Sequence, residues 1–156
     1  MTTTAEWDTR FLEMARLVAT WSKDPSTHVG AVITDNLNRV ISLGYNGFPR
    51  RIADSPERQL DRETRLALTI HAEANALAFA SRSVAGATLY CTHMPCASCA
   101  ALIIQHGISR VVAAEPTPDF LQRWRTSTIL SEVIFQEAEV ELFNNNSRIT
   151  SSGKTC

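Results

Sequence analysis

No part of this 156-residue chain is apolar for the roughly 18 residues that a bilayer span needs; runs such as Ala100–Ile104 are far too short. A surplus of either charge is also missing. Fifteen Lys and Arg stand against sixteen Asp and Glu, a net charge of −1. That argues against a dedicated binder of polymeric nucleic acid, which carries a basic surplus, but leaves room for one nucleotide, whose phosphate needs only local cations. The opening MTTTAEWDTR has no basic start leading into an apolar run. No signal peptide, no membrane contact and a cytoplasmic location are therefore expected. Cysteines are few. A domain of this size buries about 70% of its unfolded surface and needs no stapling, so the four cysteines are not expected to form a disulfide framework.

What is present is globular: 44% apolar and 20% charged residues, with no internal repeat. One domain is expected over residues 1–143, with a polar, nonperiodic and flexible tail over 144–156. Trp7, Phe11, Met14, Ala15, Leu17, Val18 and Trp21 recur at helical spacing, predicting a helix over 6–21. Gly30–Thr34 and Arg39–Leu43 are β-rich and flank the turn chemistry of Asp35–Asn38, which reads as a hairpin. Residues 44–66 read as a long connection. Arg50, Arg51, Arg58, Arg62 and Arg65 there nearly balance Asp54, Glu57, Asp61 and Glu63, the pattern of a solvated face. Helices are predicted over 72–81, 96–105 and 119–135, and strands over 87–92, 110–114 and 140–143. Strands alternating with helices of about ten residues imply a partly parallel sheet between helical layers.

The chemistry concentrates in two short motifs: His71-Ala72-Glu73 and Pro95-Cys96-Ala97-Ser98-Cys99. Cys96 and Cys99 are three apart at a helix start, so both sulfurs lie on one face of the first turn. The helix N-terminus favours thiolate over thiol. Pro95 fixes the entry to that helix. His71 opens the other helix and supplies an imidazole nitrogen. Two thiolates and one neutral imidazole suit Zn²⁺, and three protein ligands leave a position for water, as catalytic zinc requires. Glu73, two residues beyond His71, is placed to take a proton from that water and hand it on. A zinc site used only for folding, or a redox pair, stays open; neither reading requires Glu73.

The other histidines, His28, His93 and His106, show no partner pattern, although His93 sits close enough to the motif to support its ligands. Cys91 reads as a small buried hydrophobe within a strand. Trp7 and Trp21 fit a core stripe of the first helix.

Beyond the zinc motif, three further segments carry a resemblance. They are Ser22-Lys23-Asp24-Pro25-Ser26 before Val29-Gly30-Ala31-Val32, then Gly44-Tyr45-Asn46-Gly47-Phe48-Pro49, and Leu102-Ile103-Ile104-Gln105 leading to Arg110-Val111-Val112. From about Trp7 to Phe143 the chain resembles the deoxycytidylate (dCMP) deaminases of the cytidine deaminase-like superfamily. The resemblance implies a three-layer α/β/α sandwich with a mixed five-stranded sheet and helices on both faces. It implies zinc-dependent hydrolysis of dCMP to dUMP with release of ammonia, feeding thymidylate synthesis. In that reaction Glu73 protonates N3 and then the leaving amino group. His71, Cys96 and Cys99 hold the metal, Asn46 and the Ala72 N–H contact the substrate, and Lys23 with Ser22 is the candidate phosphate site. A homo-oligomer is implied as well, hexameric in many relatives, with dCTP and dTTP as effectors. Arg51 stands where many relatives have Gly, which puts that regulation in question. Competing readings are a deaminase of a modified nucleotide such as 5-methyl-dCMP, a polynucleotide deaminase, and a noncatalytic nucleotide-sensing zinc protein.

Overall fold

The computed structural model describes residues 1–144 and 147–149. The order along the chain is α1 (Thr4–Ala19), β1 (Gly30–Thr34), β2 (Val40–Tyr45), α2 (Pro56–Leu60), α3 (Arg62–Leu68), α4 (Ala72–Ala78), β3 (Thr88–Cys91), α5 (Ala97–Gln105), β4 (Arg110–Ala113), α6 (Pro118–Glu137), β5 (Glu141–Asn144) and β6 (Ser147–Arg148). The strands form one sheet in the order β2-β1-β3-β4-β5-β6. β1 is antiparallel to both β2 and β3, β3-β4-β5 run parallel, and β6 returns antiparallel to β5.

Successive strand residues point to opposite faces, and the sequence uses this period of two throughout. Ala31, Ile33, Leu89, Cys91, Val111, Ala113 and Leu142 face one side, where α4, α5 and α6 cover them. Val32, Tyr90 and Val112 face the other, where Phe11, Leu12 and Ala15 of α1 cover them. The expected α/β/α sandwich is therefore present, with six strands in place of five. The extra strand comes from 147–148, inside the segment expected to be a flexible tail. Residues 145, 146 and 150–156 of that segment lie outside the described residues.

Local chemistry explains the other departures. Helix α1 starts at Thr4 because Thr3 and Glu6 form a capping box: Thr3 N–H donates to Glu6 Oε2 at 2.6 Å and Glu6 N–H to Thr3 Oγ1 at 3.3 Å. It ends at Ala19, so Trp21 lies beyond it and packs edge-on against Tyr45, half exposed, instead of joining the core stripe. The connection over 44–66 holds two short helices that charge patterning alone did not show. Ser55 caps α2, and Asp61 caps α3 by accepting from the Thr64 N–H.

On the α1 face, the buried carboxylate of Asp8 accepts from both terminal nitrogens of Arg110, each at 2.7 Å, and from the Tyr90 hydroxyl at 2.9 Å. The Arg110 guanidinium also lies over the Phe143 ring, 4.4 Å from its centroid. A charge this deeply placed persists because its lone pairs are satisfied.

Helix α4 lies on the β1–β2 end of the sheet with almost nothing between the backbones. Ala72 and Ala76 of its buried face lie directly over Gly44 of β2. A Cβ at Gly44 would run into the Ala72 carbonyl and the Ala76 N–H. Ser42 Oγ donates to the Ala76 carbonyl at 2.7 Å, and Asn75 Nδ2 to the Tyr45 carbonyl at 2.8 Å. Gly44→Ala must therefore push the helix off the strand. A thermal melt should show a Tm lower by roughly 2–12 °C, corresponding to overpacking of about 1–3 kcal/mol in a chain of this length.

Candidate functional site

The two motifs meet because each opens a helix at the same end of the sheet. His71 is the N-cap of α4 and Cys96 the N-cap of α5; neither side chain caps its own helix. Cys99 lies in the first turn of α5. Beneath them, β1 begins, β2 ends and β3 ends. Thr92 fixes this edge: its N–H donates to the Gly30 carbonyl at 3.0 Å, and its Oγ1 accepts from the Gly30 N–H at 3.1 Å.

His71 Nδ1 lies 3.5 Å from Cys96 Sγ and 3.4 Å from Cys99 Sγ. Tetrahedral zinc, with bonds of about 2.3 Å to sulfur and 2.0–2.1 Å to nitrogen, separates such donors by about 3.6 Å. Electrostatics agree with the geometry. A hydrogen bond from the Cys99 thiol pulls the Cys96 thiol down to about 4, and the His71 imidazole adds to it. The same bond, with burial, pushes Cys99 up. One thiolate forms readily and the second needs a cation between the two sulfurs. Two soft sulfurs and an imidazole with all donor atoms within 4.8 Å fit zinc. Among the described residues, this is the cluster of His, Cys, Asp and Glu that could hold a metal.

Glu73 is buried, with 4% of its surface exposed. Burial raises its pKa above the ordinary carboxylate value. Donation from its own backbone N–H and from the Cys91 thiol opposes this rise. Cys91 is thus a buried strand residue, as expected, but it also touches the carboxylate; nothing in the sequence pattern showed that contact.

The site opens into a cleft of about 540 Å³, within the usual range for a small-molecule pocket. His71, Ala72, Glu73, Cys96 and Asn46 line it. Ala72 is the first residue of α4, so its N–H has no partner within the helix. Asn46 is 5% exposed. Its Oδ1 accepts from the Val29 N–H and its Nδ2 donates to the Thr27 carbonyl, both at 2.8 Å, so the side chain braces loop 27–29. One amide hydrogen and one lone pair remain.

The other two expected contacts do not line the cleft. Lys23 pairs with Asp54 at 2.9 Å and is otherwise in solvent, its pKa raised by that bond. Ser22 is buried and donates to the Asn46 carbonyl at 2.8 Å, a role in shaping the loop. The cleft cations are instead Arg62, Arg65 and Arg123. The first two belong to the stretch read as a solvated face; balanced charge in a sequence does not reveal which side chains turn inward. Arg65 is held by Asp24 at 3.8 Å and donates to the Gln59 carbonyl at 2.6 Å. His93 lines the cleft too, its Nδ1 hydrogen-bonded to Thr92 Oγ1 at 3.0 Å and its ring packed on Phe120. Burial lowers its pKa.

Comparison with known proteins is consistent with this arrangement. The chain is 49% identical over 138 residues to an uncharacterized deaminase in the luxG 3′ region of Aliivibrio fischeri, covering 88% of this chain and 92% of that one. It is 40% identical over 115 residues to the deoxycytidylate deaminase of Mus musculus, covering 69% of this chain and 64% of the relative. The chain thus spans less than two thirds of that relative's length. Among solved structures, dCMP deaminase from the cyanophage S-TIM5, in complex with dCMP and dUMP, superposes with a TM-score of 0.75 at 25% identity, covering 92% of this chain and 99% of that one. Residues 5–115 match the family described as the cytidine and deoxycytidylate deaminase zinc-binding region. With most of its residues inside that match, and with His71, Cys96 and Cys99 placed where they could hold a metal, the chain belongs to the cytidine and deoxycytidylate deaminase zinc-binding family.

Proposed function

We propose that this protein hydrolyses dCMP to dUMP and ammonia, with His71, Cys96 and Cys99 holding Zn²⁺ and Glu73 carrying the proton. The observation that carries the reading is the Glu73 carboxylate, buried at the floor of a cleft and two residues from a metal ligand. A purely structural zinc site has no use for a carboxylate kept at that cost. When bound, zinc supplies a Lewis acid that lowers the pKa of water from about 15.7 to near 7.

The chain's own groups do the rest. Glu73 accepts a proton from water as the C4–O bond forms and delivers it to N3 of the ring. It then shuttles the second water proton to the amino group, so the C4–N bond breaks with ammonia as the leaving group. A carboxylate with a raised pKa is suited to give the proton back as well as to take it. The Ala72 N–H, free at the start of α4, is the donor for the pyrimidine edge. The remaining hydrogen and lone pair of Asn46 face the sugar. Self-association belongs to the same reading; Leu121, Ile129, Leu130 and Val133 leave apolar surface on α6 for it. Effector binding by dCTP and dTTP comes from family likeness alone.

The direct test is ammonia release by zinc-loaded protein given dCMP, CMP, deoxycytidine, dCTP and 5-methyl-dCMP in parallel. Preference for dCMP supports the reading. Preference for 5-methyl-dCMP keeps the chemistry and moves the specificity to the wall near C5. No release from any of them, by folded zinc-containing protein, leaves a sensing role. Glu73→Gln should retain stoichiometric zinc and lose activity by about 100-fold or more, the scale of a lost general acid–base; wild-type turnover in that variant would remove Glu73 from the mechanism. Zinc at a thousandfold excess over its Kd should stabilise the fold by about 4 kcal/mol, so chelation should lower the Tm. Cys99→Ala should abolish that difference, and an unchanged zinc-dependent shift would mean the ligand set is wrong.

A further inference from the structure

The family match ends at residue 115, yet the cleft does not. Thr117, Phe120, Arg123 and Trp124, all at or near the start of α6, line it together with the metal-binding residues. Phe120, Trp124, Ser127 and Ser131 follow one another by four, three and four residues and so form one stripe of the helix. The far half of the stripe is bonded to the cysteine loop. Ser127 Oγ accepts from the Ala97 N–H at 2.9 Å, satisfying a free donor in the first turn of α5. Ser131 is fully buried and donates to the Pro95 carbonyl at 2.9 Å. These bonds flank Cys96 on both sides and fix the register of α6 against the metal site. The near half then falls over the cleft. Phe120 packs against His93, with ring centroids 5.4 Å apart, and against Trp124 at 6.4 Å.

Arg123 stands beside this aromatic wall. Among the described residues, neither it nor Arg62 forms an ion pair. The third cleft cation, Arg65, is already engaged by Asp24. The cleft thus has planar apolar surface near the metal site and two guanidinium groups with no internal counter-charge. Guanidinium is the side chain best matched to phosphate oxygens.

Resting on the deaminase reading above, we infer that α6 is the specificity wall of the site and that Arg123, with Arg62 from α3, binds the 5′-phosphate of the nucleotide. The catalytic constellation comes from the family core, whereas the aromatic wall and Arg123 come from a helix outside the family match, with Arg62 joining them from within it.

Binding of dUMP and of deoxyuridine to the zinc-loaded protein, measured by calorimetry, tests the contact without needing turnover. Wild type should bind dUMP more tightly than deoxyuridine. Arg123→Gln should weaken dUMP roughly 10–100-fold, the scale of a lost charge-assisted contact, and leave deoxyuridine unchanged. Arg123→Lys should recover part of the loss. In turnover, Arg123→Gln should raise KM for dCMP with kcat little altered. Arg123 is exposed, so these variants should keep the wild-type Tm. An unchanged dUMP-to-deoxyuridine affinity ratio in Arg123→Gln overturns the inference, as does a wild type that does not distinguish the two. Protein that shows the full binding pattern yet deaminates no cytosine nucleotide leaves the contact standing and sinks the proposed reaction.

Discussion

Helix α4 carries both the imidazole ligand and the carboxylate, and its position is set by a near-bare contact between backbones. Ala72 and Ala76 rest on Gly44, while Ser42 and Asn75 tie the helix to β2. Side chains of ordinary size would hold the helix farther from the sheet and would carry His71 away from Cys96 and Cys99. Protein interiors are close-packed and stiff, so a displacement there is transmitted instead of being absorbed. The small residues of this seam add little hydrophobic free energy themselves. Their contribution is distance, and the metal cluster requires donor atoms placed to a few tenths of an ångström.

The electrostatics of the site follow from the same placement. Glu73 is buried at a helix start, where burial favours the protonated form while its own N–H and the Cys91 thiol favour the ionised one. The cysteine pair shows a similar opposition: one sulfur is easily ionised at the expense of the other. Groups held in such balance respond strongly to one added cation. A metal centre is the natural completion of that arrangement, because it relieves the repulsion that the fold has built up.

Much of this was legible in the sequence, and the remainder was hidden for physical reasons. The candidate metal cluster could be read because ligand chemistry demands particular residue types at fixed spacing, and helix starts at His71 and Cys96 have local signals. The sandwich could be read because strands buried between helices are written in short β-rich runs. The structure does not bring the expected phosphate cation, Lys23, to the cleft. Lys23 follows a helix and belongs to a family-like segment, but its ion pair with Asp54 depends on a loop that folds back from 31 residues away. Arg62 and Arg123 come from two distant elements, and only the tertiary fold brings them to one cleft. The helix at α6 was expected, but not the role of its stripe, because Ser127 and Ser131 gain it from the Ala97 N–H and the Pro95 carbonyl. The strand at 147–148 was missed because two polar residues carry no periodicity of their own.

The Asp8–Arg110 pair joins residues 102 positions apart, and Tyr90 completes it from the middle of the chain. Helix α1 lies directly on β1, where Ala15 and Ala19 leave no room for a side chain at Gly30, but its buried Asp8 has no counter-charge until Arg110 of β4 is made. The stripe of Phe11, Leu12 and Ala15 is covered in part by Val32 and Leu43 and completed only by Tyr90 and Val112, far later in the chain. A growing chain in that condition presents a greasy helix to its surroundings for many seconds at about 5–20 residues per second. Asp8, in its second turn and with no guanidinium yet to meet, stays hydrated until the late arrival of Arg110 turns the same charge into the latch.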